Sequence, residues 1–506
     1  MRKPSLLAAA LLLALFQVGT THAEVSLPGI FTDHMVLQQK QTNKVWGRAG
    51  SGESITVAIN GQSKTTTADS NGDWEVMIDP IPAGGPYELN VKGSNEITIK
   101  DVLVGEVWIC SGQSNMEWPV ARANDPDLEI ATANFPKIRS INFPNTGSQE
   151  PVWTHDNEWM VCSPDTVGGF SAVGYFFGRQ LYQALGVPIG LVNNSWGGSA
   201  ADAWIRRDLL ESDPKYAKTM ERWKKTEANG LPRMAELEAK KNKTDKEKQE
   251  LRGLQRQLNG NQRPSNIYNG VLKSHLGYGI KGAIWYQGES NASRAFQYRH
   301  VFPKMIQNWR DEWGAGEFPF YWVQLADFRD EKAEPAESDW AELREAQTMT
   351  LSALPNTGEA VIIDIGEGKD IHPRNKVIVG QRLARWALAN QYGYEIAYHS
   401  PTYSSMEKEG DKIVLTFEHV NGGWRPFDVR YPVGFAIAGE DKKFVWADAV
   451  ILKDGRIEVR SQSVPDPVAV RYAWADNPVC NMYDTQGLPL TPFRTDDWPG
   501  ITVDKF

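Results

Sequence analysis

Cys110-Ser111-Gly112-Gln113-Ser114-Asn115-Met116 follows directly on the apolar run Val102 to Ile109. A serine just beyond a buried strand stands where backbone N–H groups and a helix start face a substrate oxygen, which makes Ser114 a candidate nucleophile. A Gly-x-Ser turn is common in proteins of every kind, so the tripeptide alone decides nothing. A serine hydroxyl needs a base, and Asp370-Ile371-His372-Pro373 supplies one. The Asp370 carboxylate, two residues before His372, can orient the imidazole and stabilise the cation it becomes on taking the Ser114 proton.

Acyl transfer also needs donors for a developing oxyanion. Asn193-Asn194-Ser195-Trp196-Gly197-Gly198-Ser199 follows the apolar run Ile189 to Val192, and its glycines let backbone N–H groups approach closely. Trp285-Tyr286-Gln287-Gly288-Glu289-Ser290-Asn291 follows Gly282, and Gln287 can present an amide N–H. In open α/β sheets such loops converge beyond the carboxyl ends of the strands.

The elements that must carry these loops are legible in outline. Runs at Val102–Ile109, Ile189–Val192, Gly282–Tyr286, Phe320–Leu325 and Ala360–Ile365 read as buried strands with helix-like stretches between several of them. This is an α/β layer with a mainly parallel sheet, expected over 101–393. Before it, 24–100 shows short alternating runs broken by Asn60-Gly61 and Asn71-Gly72, the pattern of a small antiparallel β domain. Short β runs return from 394 to 506 and predict a second β domain, with Asn477 to Asp497 as an extended tail packed on another domain. Between about 208 and 263 a Lys/Glu-rich segment predicts a solvated helical hairpin inserted between two strands, a surface excursion with no chemistry of its own.

With 506 residues, 41% hydrophobic and 23% charged, the chain is globular and large enough for two or three domains. A net charge of −9 with no dense basic run argues against nucleic acid as a partner. Cys110, Cys162 and Cys480 are too few for a disulfide framework and too scattered for a zinc site, and the eight His show no metal-ligand spacing. No metal is expected. Residues 1–23 read as a cleaved signal peptide: Arg2 and Lys3, a short apolar run, then Thr21-His22-Ala23. The chain is therefore expected to be exported, periplasmic or secreted, with no membrane insertion after cleavage.

Gly-Gln-Ser-Asn-Met at 112–116, Trp-Gly-Gly-Ser at 196–199, Trp-Tyr-Gln-Gly-Glu-Ser at 285–290 and Asp-Ile-His-Pro at 370–373 together resemble the four blocks of the sialate O-acetylesterase family, a branch of the SGNH hydrolases. The similarity extends to Arg263–Gly270 and Arg471–Pro478 and so covers nearly the whole mature chain. The resemblance implies a three-layer, flavodoxin-like α/β core flanked by N- and C-terminal β domains. It implies a serine carbohydrate esterase that cleaves O-acetyl esters without a cofactor. Ser114 is then the nucleophile, His372 the base and Asp370 its orienting acid, although the wider superfamily usually places that acid where this chain has Lys369. Glu289 is the alternative acid. The oxyanion donors implied are the N–H groups of Ser114 and Gly197 (or Gly198) and the Gln287 side chain, with substrate contacts from Gln113, Asn115, Trp196 and Glu289. Trp118, Trp204, Trp285 and Tyr286 can also stack on a sugar ring, and Arg206 or Arg374 can meet a sugar carboxylate. The expected substrate is 9-O-acetylated sialic acid. The alternatives are acetylated xylan or xyloglucan and, in a different class, a carbohydrate-binding protein with an inactive site.

Overall fold

The computed structural model describes residues 24–506, so the expected signal peptide lies outside the described residues. One strand organises the molecule: β1 (Glu96–Gly112), 17 residues long, whose first half is partly exposed and whose second half is wholly buried. Its N-terminal half pairs antiparallel with Gly84–Lys92 and parallel with Val36–Gln38 in a sheet completed by Ser54–Ile59 and Gln62–Thr67. The Asn60-Gly61 turn joins the last two with both residues at positive φ, as a tight hairpin requires.

The C-terminal half of β1 is the centre of a second ladder, formed with β2 (Phe135–Asn142), β3 (Trp159–Cys162), β4 (Ile189–Asn193), β5 (Gly282–Tyr286), β6 (Phe320–Val323) and β7 (Thr357–Ala360), in the order β7-β6-β5-β1-β4-β2-β3. All are parallel except the edge strand β3. The expected boundary at 100/101 therefore falls inside a single strand. The parallel sheet reads as continuous apolar runs because both faces are covered. Alternate residues go to opposite sides: Ala283 and Trp285 join the core that includes Phe302 and Leu343, while Ile284 and Tyr286 join the one that includes Phe176 and Leu383. Helices α2 (Ala172–Leu185) and α7 (Lys376–Tyr392) thus line one face, and α5 (Ala295–Trp313) and α6 (Asp339–Ala353) the other.

The Ala360–Ile365 run behaves differently from its expectation. The ladder stops at Ala360, and Val361 and Ile363 are buried in the core of the C-terminal β sheets instead. A continuous apolar run records burial and does not say what does the burying. Those sheets comprise Thr402–Glu409, Lys412–Glu418, Ile457–Arg460 and Asp448–Ile451 in one, and Phe435–Ala438, Val445–Trp446, Ala469–Tyr472 and Phe493–Arg494 in the other. The stretch 477–497, expected as a tail on another domain, instead joins the C-terminal β core through Met482, Leu490 and Phe493. Only beyond it does the chain dock on the helical layer, where the Ile501 N–H donates to Glu342 at 2.6 Å and the Phe296 N–H to Thr502 Oγ1 at 2.9 Å. The 208–263 segment folds mainly as α3 (Ala217–Ala239) and α4 (Asp245–Leu258), the latter begun by a capping box at Thr244 and Glu247. No helix among the described residues is long and apolar enough to cross a membrane.

Gly112 ends β1 at φ +131°, and a Cβ there would stand 2.2 Å from the Tyr286 carbonyl oxygen. Only glycine permits both the turn and the close approach to β5. Gly112→Ala should cost more than about 3 kcal/mol of stability, combining backbone strain with a steric clash, and this is checked by thermal or urea denaturation.

Candidate active site

Ser114 opens a single helical turn, α1 (Ser114–Glu117), at the carboxyl end of β1. Loops from three other strands close on it. The Gln113 N–H donates to the Tyr286 carbonyl at 2.9 Å, and the Trp196 N–H to the Gly112 carbonyl at 3.0 Å, so the loops after β5 and β4 are tied to the Ser114 turn by backbone bonds. The fourth loop, after β7, is pinned at its start. Arg382 on α7 grips Asp364 with two bonds of 2.6 and 2.7 Å, and Asp327 Oδ1 accepts from the Gly366 N–H at 2.7 Å.

This convergence puts His372 Nε2 at 2.8 Å from Ser114 Oγ, although 258 positions separate the two residues in the chain. Asp370 Oδ1 accepts from the His372 backbone N–H at 2.9 Å and lies 3.4 Å from Nδ1 of the ring. The closer contact fixes the loop, and the longer one is a charge-to-ring approach beyond good hydrogen-bond length. With the Asp370 side chain 52% exposed, solvent screens that attraction. Trp118 stacks on the imidazole at 4.9 Å with 15° between the planes, and the Arg122 guanidinium covers the indole at 3.9 Å. Burial lowers the His372 pKa below the usual imidazole value. Asp370 pulls it back up, while Lys376 and Arg122 press it further down. A ring that is neutral at neutral pH and bonded to a hydroxyl can take that hydroxyl's proton.

The structure corrects several expectations. Gln287 is completely buried and its amide is spent: Nε2 donates to the Ser199 carbonyl (3.0 Å) and to Asn291 Oδ1 (2.8 Å), while Oε1 accepts from the Tyr298 hydroxyl (2.8 Å). It braces two loops and has no donor left for an oxyanion. Asn115, expected to touch substrate, is buried, with its amide bonded to Glu289 (2.7 Å), the Ile371 carbonyl (3.0 Å) and Lys376 (2.6 Å). The Glu289 carboxylate lies inside this cluster with Oε2 buried and unpartnered. Its hydrogen bond goes to Asn115 and none goes to His372, so neither its expected substrate contact nor its part as the alternative acid has support in the geometry.

Gly197 does flank the nucleophile: a Cβ built on it would lie 3.4 Å from Ser114 Cβ. Its N–H, however, donates to Glu117 Oε2 at 2.7 Å, and Asn145 holds the other carboxylate oxygen at 3.1 Å. Gly198 takes the positive φ of +74° that shapes this turn. Gln113, expected to touch substrate, is less fully committed than Asn115 or Gln287. Its Oε1 accepts long bonds of 3.4 Å from the Gly288 and Ser290 N–H groups, and its Nε2 donates to no protein group among the described residues. Trp196 keeps a partly exposed ring, whereas Trp204, Trp285 and Tyr286 are fully buried in the core and Trp118 is covered by His372 and Arg122. Arg206 is ion-paired with Asp208 and Glu312, and Arg374 with Glu367.

Four contributors were missed from sequence. Glu117 is three residues from Ser114, a spacing that places both on one helical face and could have flagged it. Lys376 stands in the same short segment as His372, yet nothing marked it as buried. Asn261 Nδ2 donates to the Gly197 carbonyl at 2.5 Å and Gln262 Nε2 to that of Gly198, so the chain leaving the helical insertion clamps the loop beside Ser114. No spacing rule connects those positions.

Comparison with known proteins places this chain among carbohydrate esterases. A family described as "Carbohydrate esterase, sialic acid-specific acetylesterase" matches residues 104–239 and 257–389. The sialate O-acetylesterase of Mus musculus is 29% identical over 91% of this chain and 92% of its own length, and that of Homo sapiens 28% identical over 92% of each. A crystal structure of a carbohydrate acetylesterase from Xanthomonas citri superposes with a TM-score of 0.81 at 39% identity, covering 94% of this chain and all of the other.

Two outcomes follow from the contacts. Gln287→Ala should lower stability by about 2–4 kcal/mol, through a cavity and stranded buried partners, which a melting experiment reads directly. Because only the neutral ring accepts a proton, the acid limb of kcat/KM should have its midpoint below the usual imidazole value of about 6.5. A pH–rate profile measures it.

Proposed function

We propose, from the premise that this chain belongs to the sialic acid-specific acetylesterase family of carbohydrate esterases, that it hydrolyses sugar O-acetyl esters through an acyl-enzyme on Ser114. The observation that carries this reading is the 2.8 Å contact between His372 Nε2 and Ser114 Oγ. Ser114 Oγ attacks the acetyl carbonyl as its proton passes to Nε2. The tetrahedral intermediate collapses with return of that proton to the departing sugar oxygen, and water, deprotonated by His372, releases acetate. Water is the one co-reactant needed.

Charge is managed at two points. The imidazolium is favoured by the Asp370 carboxylate and by the Trp118 face stacked on it. The oxyanion is met by the Ser114 N–H, by the free Gln113 amide, and by the Gly197 N–H once the acetyl oxygen displaces the Glu117 carboxylate from it. Exposure of Asp370 makes it a modest contributor, so Asp370→Asn should reduce kcat by about ten- to a hundredfold, less than the ~10⁴ lost where the acid is buried. In this reading the sheet with helices on both faces is the SGNH three-layer core, the β-rich segments 24–100 and 394–506 flank it, and the chain is exported after cleavage near residue 23.

Family membership favours 9-O-acetylated sialic acid as the substrate. A second reading, a neutral acetylated polysaccharide such as xylan or xyloglucan, is favoured by the charges around the nucleophile: the Glu117 carboxylate faces the site, while Arg206 and Arg374 are already paired with acidic side chains. Acetate release measured across acetylated sialic acid, xylan and xyloglucan separates the two. Ser114→Ala should abolish release from every one of them, and a serine-directed phosphonate should modify wild type at Ser114. A carbohydrate-binding protein with an inactive site would retain sugar affinity, remain unmodified and release nothing.

A further inference from the structure

Beneath the two reacting loops lies a cluster of buried charge that ester hydrolysis as written does not use. Lys376 is fully buried at the start of α7, and its Nζ donates to Asn115 Oδ1 at 2.6 Å with the Tyr286 ring at 5.2 Å. Asn115 Nδ2 donates in turn to Glu289 Oε1 at 2.7 Å and to the Ile371 carbonyl at 3.0 Å. Asn115 follows the nucleophile by one residue and Ile371 precedes the base by one. A single amide, held at both ends by a charged group from a third and a fourth position in the fold, therefore fixes the neighbours of Ser114 and His372 against each other. Burying an ammonium and a carboxylate is costly, and the same volume filled with apolar side chains would commonly be at least as stable. Stability alone gives no reason for the cluster.

Resting on the reading of Ser114 as nucleophile and His372 as base, we propose that Lys376 and Glu289 are positioning residues which, through Asn115, hold the Ser114 turn and the His372 loop at hydrogen-bonding distance. Neither group reaches the ester. A misplacement of about 1 Å between reacting groups is enough to lose about a hundredfold in rate. The arrangement also leaves an electrostatic trace. The charged groups facing His372 are Asp370 on its own loop, Lys376 on α7 and Arg122 beyond α1, and those facing Lys376 are Glu289, Glu367 and Asp370. Burial brings the Lys376 pKa down to about 7, so the ammonium is present through the acid range, where it opposes a positive charge on His372. Without that ammonium, His372 should protonate at a higher pH.

The test compares wild type with Lys376→Met and with the double variant Lys376→Met/Glu289→Gln, which leaves no buried charge unpaired should the single variant fail to fold. Each is assayed for acetate release over pH on an acetylated sugar that wild type turns over, and for phosphonate labelling. The expected result is a kcat lower by about a hundredfold with KM within about threefold, and an acid limb of kcat/KM moved to higher pH. Wild type labelled at Ser114, together with an unchanged kcat or an unmoved acid limb in the folded double variant, overturns the inference and leaves the nucleophile standing. Failure of wild type to label at Ser114 overturns the nucleophile assignment, and the inference with it.

Discussion

A 2.8 Å hydrogen bond between two side chains 258 residues apart is the constraint to which the rest of the molecule answers. Neither partner can be placed by its own segment. Ser114 is delivered by the strand at the centre of the sheet, and His372 by a loop that follows the edge strand β7 three positions away. To bring them together the loop must reach back across two strand ends and be held there. The Arg382–Asp364 pair, the Asp327–Gly366 bond and the Asn115 amide are the ties that hold it.

Seen from this contact, the β-rich segments have a mechanical part in the site. The central strand begins in the N-terminal sheet, so Ser114 sits at the far end of a rod anchored in two layers. The run 361–363, which leads into the histidine loop, is buried by the C-terminal sheets. Asn261 and Gln262, where the chain leaves the helical insertion, grip the carbonyls of Gly197 and Gly198. Segments that carry no reacting group thus set the positions of those that do.

The legibility of this arrangement in the sequence follows the range of the forces involved. Strands were visible because a parallel sheet covered on both faces demands unbroken apolar runs. The Ser114 and His372 loops were visible because they follow such runs, and the helical hairpin because Glu and Lys repeat at helical spacing on exposed turns. The commitments of polar groups were hidden. The type and position of Gln287 suggest an oxyanion donor, yet the Ser199 carbonyl and Asn291 Oδ1 take both of its N–H bonds and the Tyr298 hydroxyl takes its oxygen. Asn115 and Glu289 failed for the same cause: hydrogen-bond partners brought in from other strands decide whether an amide or a carboxylate faces solvent or protein. Lys376 shows the limit most sharply, since a lysine in a polar loop motif carries no mark of being buried until the fold supplies Trp118 and Tyr286 around it.

Because every step turns on a covalent acetyl-serine, rapid acid quench during turnover of an acetylated sugar, followed by peptide mass mapping, tests the account most directly. The expected result is an acetyl group on the peptide containing Ser114, accumulating in a His372→Ala variant that has been acylated with an activated acetyl ester. Acetate released at an undiminished rate with no acetyl on that peptide, or with the acetyl on another residue, would contradict it.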